Sequence, residues 1–317
     1  MTVTLIIPFF NAEAHLAECL DSITAQSYKE FKVLLIDDGS TDSSADICRR
    51  YCQCDSRFQL IRQPNRGVSA ARNVGINAVA DGYIGFIDAD DCLYPEALEV
   101  MTDTIAETGA QVCIASFETG TQYRNRKATH QTNPPQLLTY SQAMKIALYQ
   151  KHYLNSACGM LMERNLLGND IRFREGIRYE DLDAFYRFYE QANIITFIPQ
   201  SLYFYRQVGN SFMHSWSPNR LDALDVTDRI VEYMQHRHPE IVDAAIDRRF
   251  SAHFNIMLLL LRLGIKDKTS IDRTWSVIKK DRRKELSNSN VRIKNKLGAL
   301  ASFGGLKLMK LLSKIYL

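Results

Sequence analysis

Phe86-Ile87-Asp88-Ala89-Asp90-Asp91 joins an apolar run to three carboxylates within six residues. The run from Tyr83 to Ile87 has the length and composition of a buried strand. Carboxylates clustered at its end repel one another, and burying them unpaired is costly. A divalent cation removes that cost. Asp88 and Asp90 lie two apart, so in extended backbone both point to one side. That grip suits a hard ion taking oxygen ligands. Mg2+ or Mn2+ held by few protein ligands keeps positions open for a diphosphate. A solvated acidic turn is the alternative, and a lone Asp-x-Asp does not separate the two.

Outward from this stretch, residues 1–117 read as alternating strands and helices. Val3 to Ile7 is a strand ended by Pro8, and Asn11 can cap a helix carrying Leu16, Leu20 and Ile23 on one face. Phe31 to Ile36 is a strand, followed by a turn from Asp37 to Asp42 and a helix through Tyr51 capped by Ser40 or Asp42. Phe58 to Ile61 is a third strand. A helix from Val68 places Ala71, Val74 and Ala78 on one face. After the strand at Tyr83, Pro95 opens a helix holding Leu98, Met101 and Ile105, and Gln111 to Phe117 is a fifth strand. This alternation predicts βαβ units and a mainly parallel, Rossmann-like sheet of the α/β class.

In such sheets ligands bind beyond the carboxyl ends of the strands. Four polar clusters are expected there: Pro8 to Asn11, Asp37 to Asp42, Asn65 to Asn73, and Asp88 to Asp91. Their shared edge favours a site over an isolated acidic turn. Asp38 can accept from a base-ring imide or hold its own turn. Arg72, near a helix start where the dipole disfavours a cation, is explained by a phosphate, or else by a surface carboxylate. Neither G-x-G-x-x-G nor G-x-x-x-x-G-K-[ST] occurs, which argues against a dinucleotide dehydrogenase and a P-loop NTPase.

The chain has 317 residues, 46% hydrophobic and 24% charged, as an ordinary globular protein does. The net charge of +3 gives no case for nucleic acid. The opening residues read as a strand, so no secretory leader is expected. The longest apolar run, Ile256 to Leu261, is too short to span a bilayer. The seven cysteines have no disulfide spacing. Cys48, Cys52 and Cys54 could suggest zinc, but reduced thiols in a cytoplasmic protein are the simpler account.

Five motifs in order closely resemble family 2 glycosyltransferases with the GT-A fold. They are Ile6 to Asn11, Ser22 to Gln26, Ile36 to Asp42, Asn65 to Asn73, and Phe86 to Asp91. Phe173 to Arg187 and Tyr203 to Ser211 are also similar to that family. The resemblance divides the chain into a catalytic domain, 1–215, and a helical C-terminal region, 216–317. The first comprises a nucleotide-binding half (1–117) and an acceptor half (118–215). It implies inverting transfer of a hexosyl or N-acetylhexosaminyl group from a UDP-sugar to a hydroxyl of a glycan or lipid-linked acceptor, in bacterial surface polysaccharide synthesis. Carried over by position, Pro8 and Asn11 border the nucleotide and Asp38 accepts from uracil. Arg72 lies near base or phosphates, and Asp88 and Ala89 lie against the donor. Asp90 is the main ligand of Mn2+ or Mg2+, with Asp88 beside it. Asp181 is the catalytic base, with Glu180 and Asp183 as competitors. His214 matches a histidine that some relatives give to the metal; an exposed loop histidine is the alternative. Met160 stands where many relatives carry lysine. A sugar nucleotidyltransferase is a second reading, although the basic glycine-rich loop it needs is missing after the first strand. A non-catalytic nucleotide-sugar-binding or anchoring subunit is a third.

Residues 219–285 read as helices with apolar faces at Leu221, Leu224 and Ile230, and at Phe250, Phe254, Met257, Leu258 and Leu261. From Val291 to Leu317, Lys307, Lys310 and Lys314 oppose Leu308, Leu311, Leu312 and Ile315. Such a basic amphipathic helix suits the cytoplasmic face of an inner membrane, or else closes a core or forms a homodimer.

Overall fold

The computed structural model describes residues 1–126, 133–151, 156–207 and 216–314. Counting those residues only, there are two compact units. One takes in Met1–Ala143, Tyr153–Gly176 and Glu180–Ser211, the other Met144–His152, Ile177–Tyr179 and Phe212–Leu317.

The first unit begins with β1 (Val3–Phe9), α1 (Leu16–Thr24), β2 (Phe31–Asp37), α2 (Ser44–Cys54), β3 (Phe58–Arg62), α3 (Val68–Ala78) and β4 (Tyr83–Phe86). In the sheet the order is β3-β2-β1-β4, and every neighbouring pair is parallel. β1 is buried over its whole length, as a strand covered on both faces must be. Leu16, Leu20 and Ile23 of α1 are fully buried beside it. α3 can approach β1 closely because residue 75 is glycine: a Cβ there would stand 2.3 Å from Ile6 Cγ2.

After β4 come β5 (Cys92–Leu93), α4 (Ala97–Thr108), β6 (Val112–Gly120), β7 (Gln136–Leu138), α5 (Tyr140–Leu148), β8 (Met160–Glu163), α6 (Glu180–Glu190) and β9 (Ile195–Arg206). β8 lies antiparallel between β4 and β6, and β9 runs parallel to β6. The sheet is therefore parallel on one side and mixed on the other. The fifth strand of the expected βαβ series does not pair with the fourth, because a segment some fifty residues later is inserted between them.

Two local expectations need correction. Pro8 does not end β1, which stays in register with β2 through Phe9. The pairing with β4 stops at Ile6, so the N–H that Pro8 lacks is not needed by that ladder. Asn11 does not cap α1. Its backbone is left-handed at φ +50°, and its Oδ1 accepts from the Thr41 N–H at 2.8 Å, which ties the β1 loop to the turn after β2.

The second unit contains α7 (Asp222–Arg237), α8 (Val242–Leu263), α9 (Lys268–Ser287), α10 (Ile293–Ala301) and α11 (Gly305–Leu312). Leu224, Ile230, Phe250, Phe254, Met257 and Leu258 are buried as their spacing predicts. The expected single tail helix is two helices. A turn of 3-10 helix at Ser302–Gly304 divides them, and Gly305 enters the second with φ +72°, a left-handed backbone that glycine adopts freely. No helix among the described residues is long and apolar enough to cross a membrane.

Candidate active site

Beyond Phe86 the chain leaves extended backbone, and the Asp91 N–H closes a turn onto the Asp88 carbonyl at 3.0 Å. Two-residue alternation therefore does not apply to Asp88 and Asp90, and the three carboxylates part company. Asp88 turns to Arg72, whose Nη2 lies 2.9 Å from its Oδ1. Asp91 turns inward, accepting from the Tyr203 hydroxyl at 2.6 Å and the Arg206 N–H at 2.7 Å. Burial, and next the nearby Asp88 charge, push the Asp91 carboxyl up to about 8. Asp90 makes no ion pair among the described residues. Burial and then Asp88 raise its pKa too.

Arg72 is the hub. It lies in α3 with only 2% of its surface exposed. Besides Asp88 it holds Glu180 Oε1 at 2.9 Å and Asp181 Oδ1 at 2.6 Å, and its guanidinium sits 5.2 Å from the Phe173 ring centroid. It is neither a surface arginine nor in need of a phosphate to account for its position. Three carboxylates supply the counter-charge, and they hold the guanidinium pKa well above its usual value against burial.

Asp181, the second residue of α6, uses its other oxygen to accept from Ser156 Oγ at 3.0 Å and the Ala157 N–H at 3.3 Å. Its side chain keeps 20% of its surface accessible. Burial pushes its carboxyl up to about 6 against the pull of Arg72. Asp183 differs: it is fully buried and pairs with Arg174 and Arg187. The chain enters α6 through Tyr179 at φ +61°, a left-handed backbone rarely adopted by a bulky residue.

On the β2 side, Asp38 is buried and knits two loops together. Its Oδ1 accepts from Gln63 Nε2 and the Arg66 N–H, and its Oδ2 accepts from the Gly67 N–H at 2.7 Å. It thus anchors the Asn65–Gly67 segment, while its own turn is held by Asp37, whose Oδ1 accepts from the Ser40 N–H at 2.7 Å. Pro8 is buried near the end of β1, and Ala89 is buried in the turn after β4. His214 lies outside the described residues.

Sequence reasoning passed over Tyr203, Arg206 and Ser156 as site residues. Arg206 links the acidic turn to two other segments: its Nε donates to the Asp90 carbonyl at 2.6 Å, Nη1 to the Thr121 carbonyl and Nη2 to Glu18. The Tyr203 hydroxyl, which donates to Asp91, also accepts from the Asp88 N–H at 3.3 Å. The polar ends of an apolar strand, Tyr-Phe-Tyr-Arg, were the available signal.

Among the described residues, no three His, Cys, Asp or Glu side chains are arranged so that they could hold a metal ion. Asp90, which has no ion-pair partner among the described residues, and Asp88, whose charge helps raise the Asp90 pKa, are the oxygen donors a hard cation would use here. A recess of about 20 Å³ is lined by Ser156, Cys158, Tyr203 and Tyr205 but by neither Asp181 nor Asp91, which reach it only through their hydrogen bonds to Ser156 and Tyr203. Roomier cavities of about 470 and 510 Å³ contain none of these carboxylates, so cavity size is no guide to the chemistry here.

Residues 4–169, just over half of the chain, match the sequence family described as Glycosyl transferase family 2. The glycosyltransferase GlyA of Streptococcus pneumoniae serotype 4 is 29% identical over 241 residues, covering 70% of this chain and 33% of GlyA. The glycosyltransferase GlyG of the same organism is 29% identical over 221 residues, covering 67% and 73% respectively. The chain thus spans only a third of GlyA's length. Among solved structures, S. aureus TarS 1–349 in complex with UDP-GlcNAc superposes with a TM-score of 0.75 at 20% identity, covering 100% of this chain and 91% of that one.

Proposed function

The chain belongs to glycosyl transferase family 2 and has the GT-A fold with a helical C-terminal region, and on that premise we propose that it moves a sugar from a UDP-sugar to a hydroxyl of a glycan or lipid-linked acceptor, with inversion. The observation that carries this reading is the bridge made by Arg72 between Asp88 and Asp181. The Asp181 carboxylate lies across one guanidinium from Asp88, which supports reading it as a base that faces the acidic turn. The UDP-GlcNAc bound by TarS supports a UDP-linked donor. We assign the transfer to residues 1–215 and the process to bacterial surface polysaccharide synthesis.

In the proposed reaction the acceptor oxygen attacks the anomeric carbon while its proton passes to Asp181. The bond from that carbon to the β-phosphate oxygen breaks on the opposite face, and UDP leaves with the electron pair. Asp181 is suited to the task because burial raises its pKa yet leaves it ionised at neutral pH. Arg72 keeps the base in place, with Ser156 and the Ala157 N–H fixing its other oxygen. Asp38 Oδ2 carries one hydrogen bond, which leaves acceptor capacity for the uracil imide. Pro8, Asn11 and Ala89 border the nucleotide. Asp90, with Asp88, would hold Mn2+ or Mg2+, whose Lewis acidity stabilises charge growing on the diphosphate; His214 is a further candidate ligand.

The test is a panel of nucleotide sugars scored for metal-dependent turnover by the purified chain. UDP-sugars should turn over only with the divalent ion. Asp90→Ala should abolish transfer, and Asp181→Asn should slow it by ~10²–10⁴ while still binding UDP. Full turnover in both variants would refute the assigned roles.

A further inference from the structure

We propose that the outer face of α10 and α11 docks on an anionic lipid bilayer. α10 buries Asn295, Gly298 and Ala299. Position 298 lies so close to the core that a Cβ there would stand 2.7 Å from the Phe254 ring. With that side committed inward, Ile293, Leu297 and Leu300 recur at helical spacing on the outside, with Ile293 77% exposed. α11 repeats the arrangement, burying Met309 and exposing Leu308 and Leu311, and Phe303 stands exposed in the turn between the helices. Of the fourteen large apolar side chains exposed among the described residues, seven fall between 293 and 311. Scattered apolar exposure is ordinary, whereas this concentration marks a surface with a partner.

Charge selects the partner. From Leu286 to Leu317 the sequence contains no Asp or Glu and six basic residues: Arg292, Lys294, Lys296, Lys307, Lys310 and Lys314. Arg282 of α9 adds a cation at the rim, lying 3.9 Å from the Phe303 ring centroid and donating to the Ser302 carbonyl. A second copy of this face would bring like charges together. A nucleic acid would meet the lysines and leave the leucines in water. An anionic bilayer satisfies both: lipid phosphates meet the lysines while the apolar side chains enter the boundary between headgroups and acyl chains. Neither helix is long enough to span, so the contact lies in the plane of the surface. This inference does not rest on the transfer chemistry.

Co-sedimentation of the full chain with vesicles tests it. The chain should pellet with phosphatidylcholine vesicles containing phosphatidylglycerol, release as salt is raised, and stay in solution with phosphatidylcholine alone. The double variant L297E/L300E, altered only at exposed positions, should bind at least tenfold more weakly while melting as the parent does. K307Q/K310Q keeps the apolar face and should bind more weakly, with a shallower salt dependence. Retention of wild-type binding by either pair overturns the proposal. So does a parent that ignores anionic vesicles, whether it runs as a monomer or as a dimer that L297E/L300E dissociates. Donor hydrolysis in solution should be unchanged in both pairs, so failure here is distinguishable from failure of the enzymatic reading.

Discussion

Arg72 Nη1 and Asp181 Oδ1 meet at 2.6 Å although their positions are 109 residues apart. The same guanidinium reaches Asp88, so one buried cation joins the carboxylate after β4 to the head of α6. Breaking such a contact from one side leaves buried charges uncompensated, and the consequences are measurable.

Arg72→Met should destabilise the protein by about 3–5 kcal/mol, because it strands the partners of a buried ion pair. Arg72→Lys should recover part of that loss but little turnover, since a lysine cannot fork between Asp88 and Asp181. Thermal melts and turnover, measured side by side, check both halves.

Turnover should fall as pH drops through about 6, where Asp181 takes up a proton. The base must be ionised to act, so the loss is on the acid side. Because Arg72 lowers this pKa, the acid limb in Arg72→Met should move to higher pH. Asp181→Asn should remove ~10²–10⁴ of the rate. A pH–rate profile that is flat through this range in the parent chain would contradict the assignment.

Glu285 gives a stability prediction in the helical unit. Burial and then the adjoining Asp247 push its carboxyl up to about 10, so folding takes up a proton that the unfolded chain releases near ~4.3. The associated stability is whole below the unfolded value and is lost as pH rises through the folded one. Glu285→Gln should flatten this fall and melt higher than the parent on the alkaline side. Melting curves from about pH 5 to about pH 9 read it directly.

Gly75→Ala should cost about 1–3 kcal/mol, because its methyl would collide with Ile6 across the α3–β1 contact. The same change at Gly109, where a Cβ meets nothing within 4 Å but φ is +66°, should cost only the backbone strain. Denaturant midpoints of the two variants should therefore separate.

Local pattern carried much of this protein. The alternation of apolar runs with helical faces determined β1 to β4 and their helices, since a strand buried on both faces must read as a continuous apolar run. The acidic turn was visible for the same reason: Asp88, Asp90 and Asp91 follow directly on such a run. What each carboxylate does was not visible, because the backbone turns after Phe86 and sends Asp88 to Arg72 and Asp91 to Tyr203. The partners of Arg72, the insertion of β8 between β4 and β6, and the latch of Asn11 on Thr41 were decided by the tertiary structure alone. Periodicity records which way a side chain faces along its own element, whereas an ion pair or strand neighbour depends on which distant segment the sheet brings alongside. Burial is likewise a tertiary quantity, and it is burial that makes Asp181 a weaker acid than its residue type would be in water.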